Sequence, residues 1–95
     1  MRVISRKLLR DAGQRHANLS GPLDVWYKVA KRARWTCLND VRATWRDTDE
    51  VDGFTVFNVK GNKYRLIAKI NYKSQIVFLK HVLTHAEYDK EDWKK

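Results

Sequence analysis

The chain reads as an α+β fold, with a helical hairpin laid on one face of a three-stranded antiparallel meander. Three observations predict it. Between residues 54 and 72, strand alternation sorts the side chains into one apolar row and one row rich in cations. A Gly61-Asn62 pair interrupts that stretch, and such a pair supplies the positive φ angles of a two-residue hairpin turn. Upstream, apolar residues recur at helical spacing on both sides of a break at residues 18–21.

Ninety-five residues predict a single domain over 1–95 with a modest core. A hydrophobic share of 43% with 12% aromatic argues for a packed chain despite 33% charged residues. The formal net charge of +9 repels itself, so it calls for a polyanion or an acidic protein partner. Cys37 is the only cysteine, which excludes an intramolecular disulfide and suits a reducing compartment. No apolar run reaches membrane-spanning length, and the first residues lack the apolar core of a signal peptide. The expectation is a cytoplasmic protein with no membrane partner.

Taken in order, residues 1–4 are short and β-branched and add a strand to the sheet. Ser5 caps a first helix in which Leu8, Leu9, Ala12 and His16 share a face. Ser20 or Gly21 ahead of Pro22 starts a second, since proline is tolerated in a first turn. Its stripe is Leu23, Trp26, Tyr27, Ala30 and Ala33, with Lys28, Lys31, Arg32 and Arg34 largely elsewhere. Residues 35–45 fit two descriptions. One is a short helical turn capped by Asn39 and carrying Val41 and Trp45; the other is an ordered loop anchored by Trp35, Leu38 and Trp45. Residues 46–52 (RDTDEVD) read as an exposed acidic loop.

The strands follow at 54–60 and 63–72, with Asn58 opposite Arg65 and Val56 opposite Ile67. One face then carries Thr55, Phe57, Val59, Tyr64, Leu66, Ala68 and Ile70 for packing against helices. The other carries Asn58, Lys60, Lys63, Arg65 and Lys69, with Val56 and Ile67 between them. A turn near 73–74 leads into a third strand over 75–84. A two-residue turn there puts Lys80 and Thr84 on the cationic face, and Val77, Leu79 and Leu83 on the apolar one. A slip of one residue would exchange them. The chain leaves the sheet at 84–89 in a short helix or turn, and Trp93 docks back from a polar tail.

The chain has no Gly-rich phosphate loop, no cysteine pair and no GxSxG nucleophile. His81 and His85 lack a third ligand of suitable spacing, so neither a metal nor a cofactor is expected. What stands out is the stretch from Gly53 to Ala86, which has Lys60, Lys63, Arg65, Lys69, Lys73 and Lys80 but no Asp or Glu. Cations with no acid to neutralise them favour a phosphate backbone. Cleaving RNA without a metal needs a base for the 2′-OH, an acid for the leaving oxygen and fixed cations at the phosphate. Lys60, Arg65, His85 and Tyr88 have that chemistry. A basic module that binds RNA or ribosomes without cutting fits the same sheet. A DNA-binding regulator fits poorly, because no helix begins with base-reading residues.

The strings FNVKGNKYRLI (57–67) and THAEYDK (84–90), with MRVISRK at the start and PLDVWYKVAK from Pro22, resemble the HigB family of bacterial toxins within the RelE-like group. The likeness spans nearly the whole chain. It implies a β-α-α-β-β-β fold with helices on one sheet face and RNA on the other. It implies a ribosome-dependent endonuclease that cuts mRNA in the A site, leaves a 2′,3′-cyclic phosphate and uses no cofactor. It also implies a HigA-type helix-turn-helix antitoxin, with operator DNA bound only through the complex. Arg65 matches a position where RelE-like enzymes keep a cation for the scissile phosphate, and Lys60 one where some relatives have a catalytic lysine. His85 and Tyr88 fall in the family's acid–base region, without deciding which is acid and which is base. Asn58, Asn62, Lys63, Lys69, Lys80 and Lys90 are the accompanying RNA-contact candidates. Asn62 is equally a turn residue, and Asn58 equally a cross-strand partner of Arg65. Glu87 and Asp89 read as structural or orienting groups, with a carboxylate base as the alternative.

Overall fold

The computed structural model describes residues 1–61 and 63–94. It contains β1 (Arg2–Ile4), α1 (Arg6–Arg15), a single 3₁₀ turn (Ala17–Leu19), α2 (Ser20–Arg32), α3 (Leu38–Thr44), β2 (Thr48–Val51), β3 (Phe54–Val59), β4 (Tyr64–Asn71), β5 (Ile76–Thr84), α4 (His85–Asp89) and a last 3₁₀ turn (Asp92–Lys94). The α+β reading holds, with α3 and β2 added to the expected order. The sheet runs β1-β5-β4-β3-β2; β1 is parallel to β5 and the other pairs are antiparallel.

The helices cover one face as expected. Ala12 of α1 and Leu23, Trp26 and Ala30 of α2 are buried against Phe57, Val59, Leu66, Ala68, Val77 and Leu79. Trp26 meets Phe57 edge to face at 5.2 Å, and Trp35 tilts over the same ring at 6.0 Å. Each such aromatic contributes roughly 1.5–3 kcal/mol by leaving water. The amino group of Met1 donates to the carbonyls of Ala30, Lys31 and Ala33 at 3.1, 2.9 and 2.7 Å. It thereby caps the end of α2, where the last carbonyls lack helical partners and the dipole favours a cation. Ser5 sits at the N-cap of α1, though its side chain makes no cap bond.

Between residues 35 and 45 the helical alternative is the one realised. Val41 is buried on α3, and Asn39 lies inside the helix rather than capping it. Asp40 Oδ2 instead accepts from the Thr36 N–H at 2.9 Å and the Thr36 hydroxyl at 2.5 Å, closing the turn ahead of the helix. Cys37, beside it, is exposed.

The acidic segment is not a loop. Residues Thr48–Val51 form β2 on β3, with Thr48 opposite Phe57 and Val51 opposite Phe54. Thr48 points inward and is buried, while Asp49 and Glu50 are exposed. Charged side chains on a sheet edge guard it against pairing with another chain. Asp52 and Gly53 both take positive φ (51° and 81°), the requirement of a tight hairpin turn, and Asp-Gly is among the preferred pairs.

The β3–β4 register is the expected one, with Asn58 opposite Arg65 and Val56 opposite Ile67. Lys60 falls outside the strand, at φ 55° in the 60–63 loop. The β4–β5 pairing corrects the expected faces. Ala68 pairs with Leu79 and Ile67 with His81, so Lys80 is the extra residue of a bulge. Val77 and Leu79 remain on the core face, but beyond the bulge the faces exchange. Val82 joins the core, Leu83 moves to the opposite face, and Thr84 pairs with Tyr64. A bulge shifts the alternation by one residue, which is the slip that inverts a strand.

The face away from the helices is therefore not an open cationic plane. Val56, Ile67 and Trp93 are buried there, with Val51, Phe54, Leu83 and Tyr88 packed around them. Glu91, at φ 59°, turns the chain so that Trp93 folds back onto the sheet.

Candidate active site

Arg65 is placed by β4 at the rim of this second cluster and is 9% exposed. Its Nη1 donates to the Tyr64 carbonyl at 3.3 Å, and its guanidinium carbon lies 5.3 Å from the Tyr88 ring centre. Tyr88 stacks on Trp93 at 5.2 Å with 15° between the planes, and Trp93 meets Phe54 edge to face at 5.4 Å. The Trp93 indole N–H donates to the Tyr88 carbonyl at 3.0 Å. Lys69 ends the row, its Nζ 4.7 Å from the Phe54 ring centre. A ladder of three aromatic rings thus has a cation at each end, an arrangement favoured by the negative faces of the rings.

Helix α4 begins through local chemistry. Thr84 accepts from the Glu87 N–H at 3.2 Å and the Thr84 N–H donates to Glu87 Oε1 at 2.9 Å, a complete capping box. The Thr84 N–H holds the Glu87 carboxyl below the usual glutamate range against desolvation, which raises it; the Thr84 hydroxyl, Arg15 and His16 add to the lowering. The His85 N–H donates to the Lys63 carbonyl at 3.0 Å, pinning the start of α4 to the 60–63 loop. His85 Nδ1 lies 2.9 Å from Asp89 Oδ2, both side chains being about half exposed. That contact orients the imidazole and leaves Nε2 as the nitrogen able to take or give a proton. Glu87 thus serves the helix cap, and Asp89 faces His85.

Of the sequence-derived residues, β4 and α4 bring Arg65 and Tyr88 together, and the His85–Lys63 hydrogen bond joins α4 to the loop holding Lys60. Lys60, Lys63, Lys69, Lys80 and Lys90 are exposed, and Lys80 Nζ lies 5.9 Å from the Phe78 ring centre. Asn58 is nearly buried. It gives its side-chain amide to Asp47 Oδ1 at 2.7 Å, its N–H bonds the Asp47 carbonyl at 2.9 Å, and its carbonyl accepts from the Trp45 indole at 2.9 Å. It clasps the segment leading into β2. Asn62 lies outside the described residues.

His81, set aside as a metal ligand on sequence grounds, also reaches this face. The bulge turns it to the Arg65 side, where it lines a depression of about 360 Å³ with Leu83, Glu87, Lys90, Asp92 and Trp93. Alternation alone assigns it to the other face, so only the bulge reveals it. Among the described residues, no group of three or more His, Cys, Asp or Glu side chains is placed to hold a metal ion. Among them, too, no helix is long and apolar enough to cross a membrane.

Residues 19–91 match the family model of the HigB toxins, described as the RelE-like toxic component of a toxin–antitoxin system. The chain belongs to this family. It is 30% identical over 93 residues to the mRNA interferase HigB of Escherichia coli O6:H1 (strain CFT073), covering 95% of this chain and 90% of that protein. Against the mRNA interferase toxin HigB of Escherichia coli K12 it is 28% identical over 92 residues, covering 94% and 88%. The mRNA interferase HigB of Shigella flexneri matches over the same span at the same identity. As a HigB toxin, the chain has an antitoxin as its cognate partner.

Proposed function

We propose that this chain, an endoribonuclease toxin by its family, cuts mRNA in the ribosomal A site by attack of a 2′-OH on the adjacent phosphate. The observation that carries the reading is the Arg65–Tyr88 contact at 5.3 Å, on a helix tied to the 60–63 loop. A base takes the proton from the 2′-OH as its oxygen bonds to phosphorus. The bond from phosphorus to the 5′-oxygen breaks, and an acid protonates that oxygen, leaving a 2′,3′-cyclic phosphate and a 5′-OH. Arg65 neutralises charge on the pentacoordinate phosphate, and a fixed cation at that point commonly lowers the barrier more than any other single group. His85 Nε2 and the Tyr88 hydroxyl share the proton transfers, and Lys60 is the third candidate, in the loop whose Lys63 carbonyl accepts from the His85 N–H. Lys63, Lys69, Lys80 and Lys90 are exposed cations for the flanking backbone.

The toxin acts in the cytoplasm. Its partner is a helix-turn-helix antitoxin of the HigA type, and operator DNA is bound through the complex. Mapping 5′ ends of translated mRNA after induction tests the reading. New ends are expected within open reading frames, and none in naked transcript. Growth arrest without new ends would sink it in favour of a module that binds without cutting.

A further inference from the structure

The depression beside the Arg65–Tyr88 cluster differs in charge from the sheet it borders. His81, Leu83, Glu87, Lys90, Asp92 and Trp93 line its volume of about 360 Å³. From Gly53 to Ala86 the sequence has no acid, yet Glu87, Asp89, Glu91 and Asp92 follow within six positions. Two of these acids have basic side chains against them: Asp89 lies 2.9 Å from His85 Nδ1, and Glu91 lies 3.0 Å from Lys94 Nζ. The other two, Glu87 and Asp92, border the depression. Glu87 Oε1 accepts from the Thr84 N–H at 2.9 Å, but a carboxylate has about four acceptor sites, so the helix cap does not exhaust it.

The walls suit a flat ring. Leu83 and Trp93 make one side apolar, and His81 adds a planar side chain. Trp93 is also the ring that backs Tyr88, stacked on it at 5.2 Å, so the depression and the candidate site share a wall. Its volume falls near the lower end of the roughly 300–1,000 Å³ of small-molecule pockets, which is room for a nucleobase. Two carboxylates would repel a phosphate there, whereas they attract the N–H groups of a base edge.

We propose, on the endoribonuclease reading above, that this depression holds the base of a nucleotide flanking the scissile phosphate and selects bases that carry an amino group. Glu87 and Asp92 accept from the amino group of adenine, cytosine or guanine. Leu83, Trp93 and His81 enclose the ring, and Lys90 meets that nucleotide's phosphate. Single-stranded RNA is commonly read in this way, by hydrogen bonds to base edges and flat side chains against base faces. Uracil has carbonyls on either side of its one N–H, so its oxygens would face the carboxylates.

The test compares mapped 5′ ends of translated mRNA for wild type, Asp92→Asn and Glu87→Gln. In wild type, uridine should be depleted about tenfold at one position flanking the cut, relative to its frequency in the reading frames. An amide donates as well as accepts, so each variant should recover cuts at uridine there, about tenfold more than wild type. Glutamine at this position preserves the capping box, and both variants should keep the wild-type circular dichroism spectrum. A gain at uridine is an effect that a merely structural role would not produce. Wild-type cuts indifferent to the base at every flanking position overturn the subsite. So does uridine depletion that persists in both folded variants. An equal fall in cutting at all four bases also overturns it, because the carboxylates then only hold α4 and the tail. Absence of new ends from the wild-type chain is a separate outcome, in which the toxin reading fails and the subsite with it.

Discussion

The two faces of the sheet differ in what holds them. The helical side buries Trp26, Trp35, Phe57 and Leu66 among more than a dozen core residues contributed by helices and turns as well as strands. On the other side the buried cluster is Val56, Ile67 and Trp93. The first cluster maintains the fold at a distance from the chemistry. The second is the floor of the candidate site, because Trp93 stacks on Tyr88 and Tyr88 lies against Arg65. Stability and activity should therefore separate on the helical face and couple on the other.

The largest effect should come from breaking the first face. Phe57→Ala removes a fully buried ring touched by two tryptophans and is expected to lose about 3–5 kcal/mol in a denaturant titration. Activity should be lost only as the fold is lost. On the second face, Arg65→Ala should retain its circular dichroism spectrum and lower the mRNA cleavage rate by about 10²–10³-fold. A cleavage rate within about threefold of wild type in that folded variant would remove Arg65 from the mechanism.

Trp93→Ala sharpens the comparison. It should lose roughly 2 kcal/mol of stability, less than Phe57→Ala, yet lower activity in protein that is still folded. If cleavage tracks the folded fraction alone, the two clusters do not differ in kind. Thr84→Ala opens the capping box and should lose about 1 kcal/mol, read from thermal melting.

The smallest effect is a pH dependence at the same cap. The folded Glu87 carboxyl sits below its ordinary value of 4.5, chiefly through the Thr84 N–H. Its contribution is therefore present above that value and fades as pH falls through the lower, folded one. The stability difference between wild type and Glu87→Gln should shrink on acidification below pH 4.5; a gap that widens would reverse the assigned sign.

Local rules explain which of these features the sequence makes legible. The β3–β4 hairpin is readable because the 60–63 loop sets the register and alternation does the rest. The α4 start is readable because Thr84 and Glu87 stand at capping-box spacing. Strand β2 is hidden because Asp49 and Glu50 look like loop residues, although Thr48 and Val51 flank them and Asp52-Gly53 marks the turn. The Arg65–Tyr88 pairing is half legible: both residues stand in recognisable strings, but their contact depends on where α4 is held.

By itself, then, the sequence determined the α+β class, the β3–β4 register, the excess of cations and the family, because each follows from composition, short-range spacing or motif. Tertiary structure alone decided three things. It placed the bulge at Lys80, which exchanges Leu83 and Thr84 and brings His81 to the Arg65 side. It recruited an acidic segment as an edge strand. It also laid Trp93 across the face that alternation alone leaves open. All three depend on contacts between residues distant in sequence, where fit to a neighbour, rather than local preference, sets the free energy.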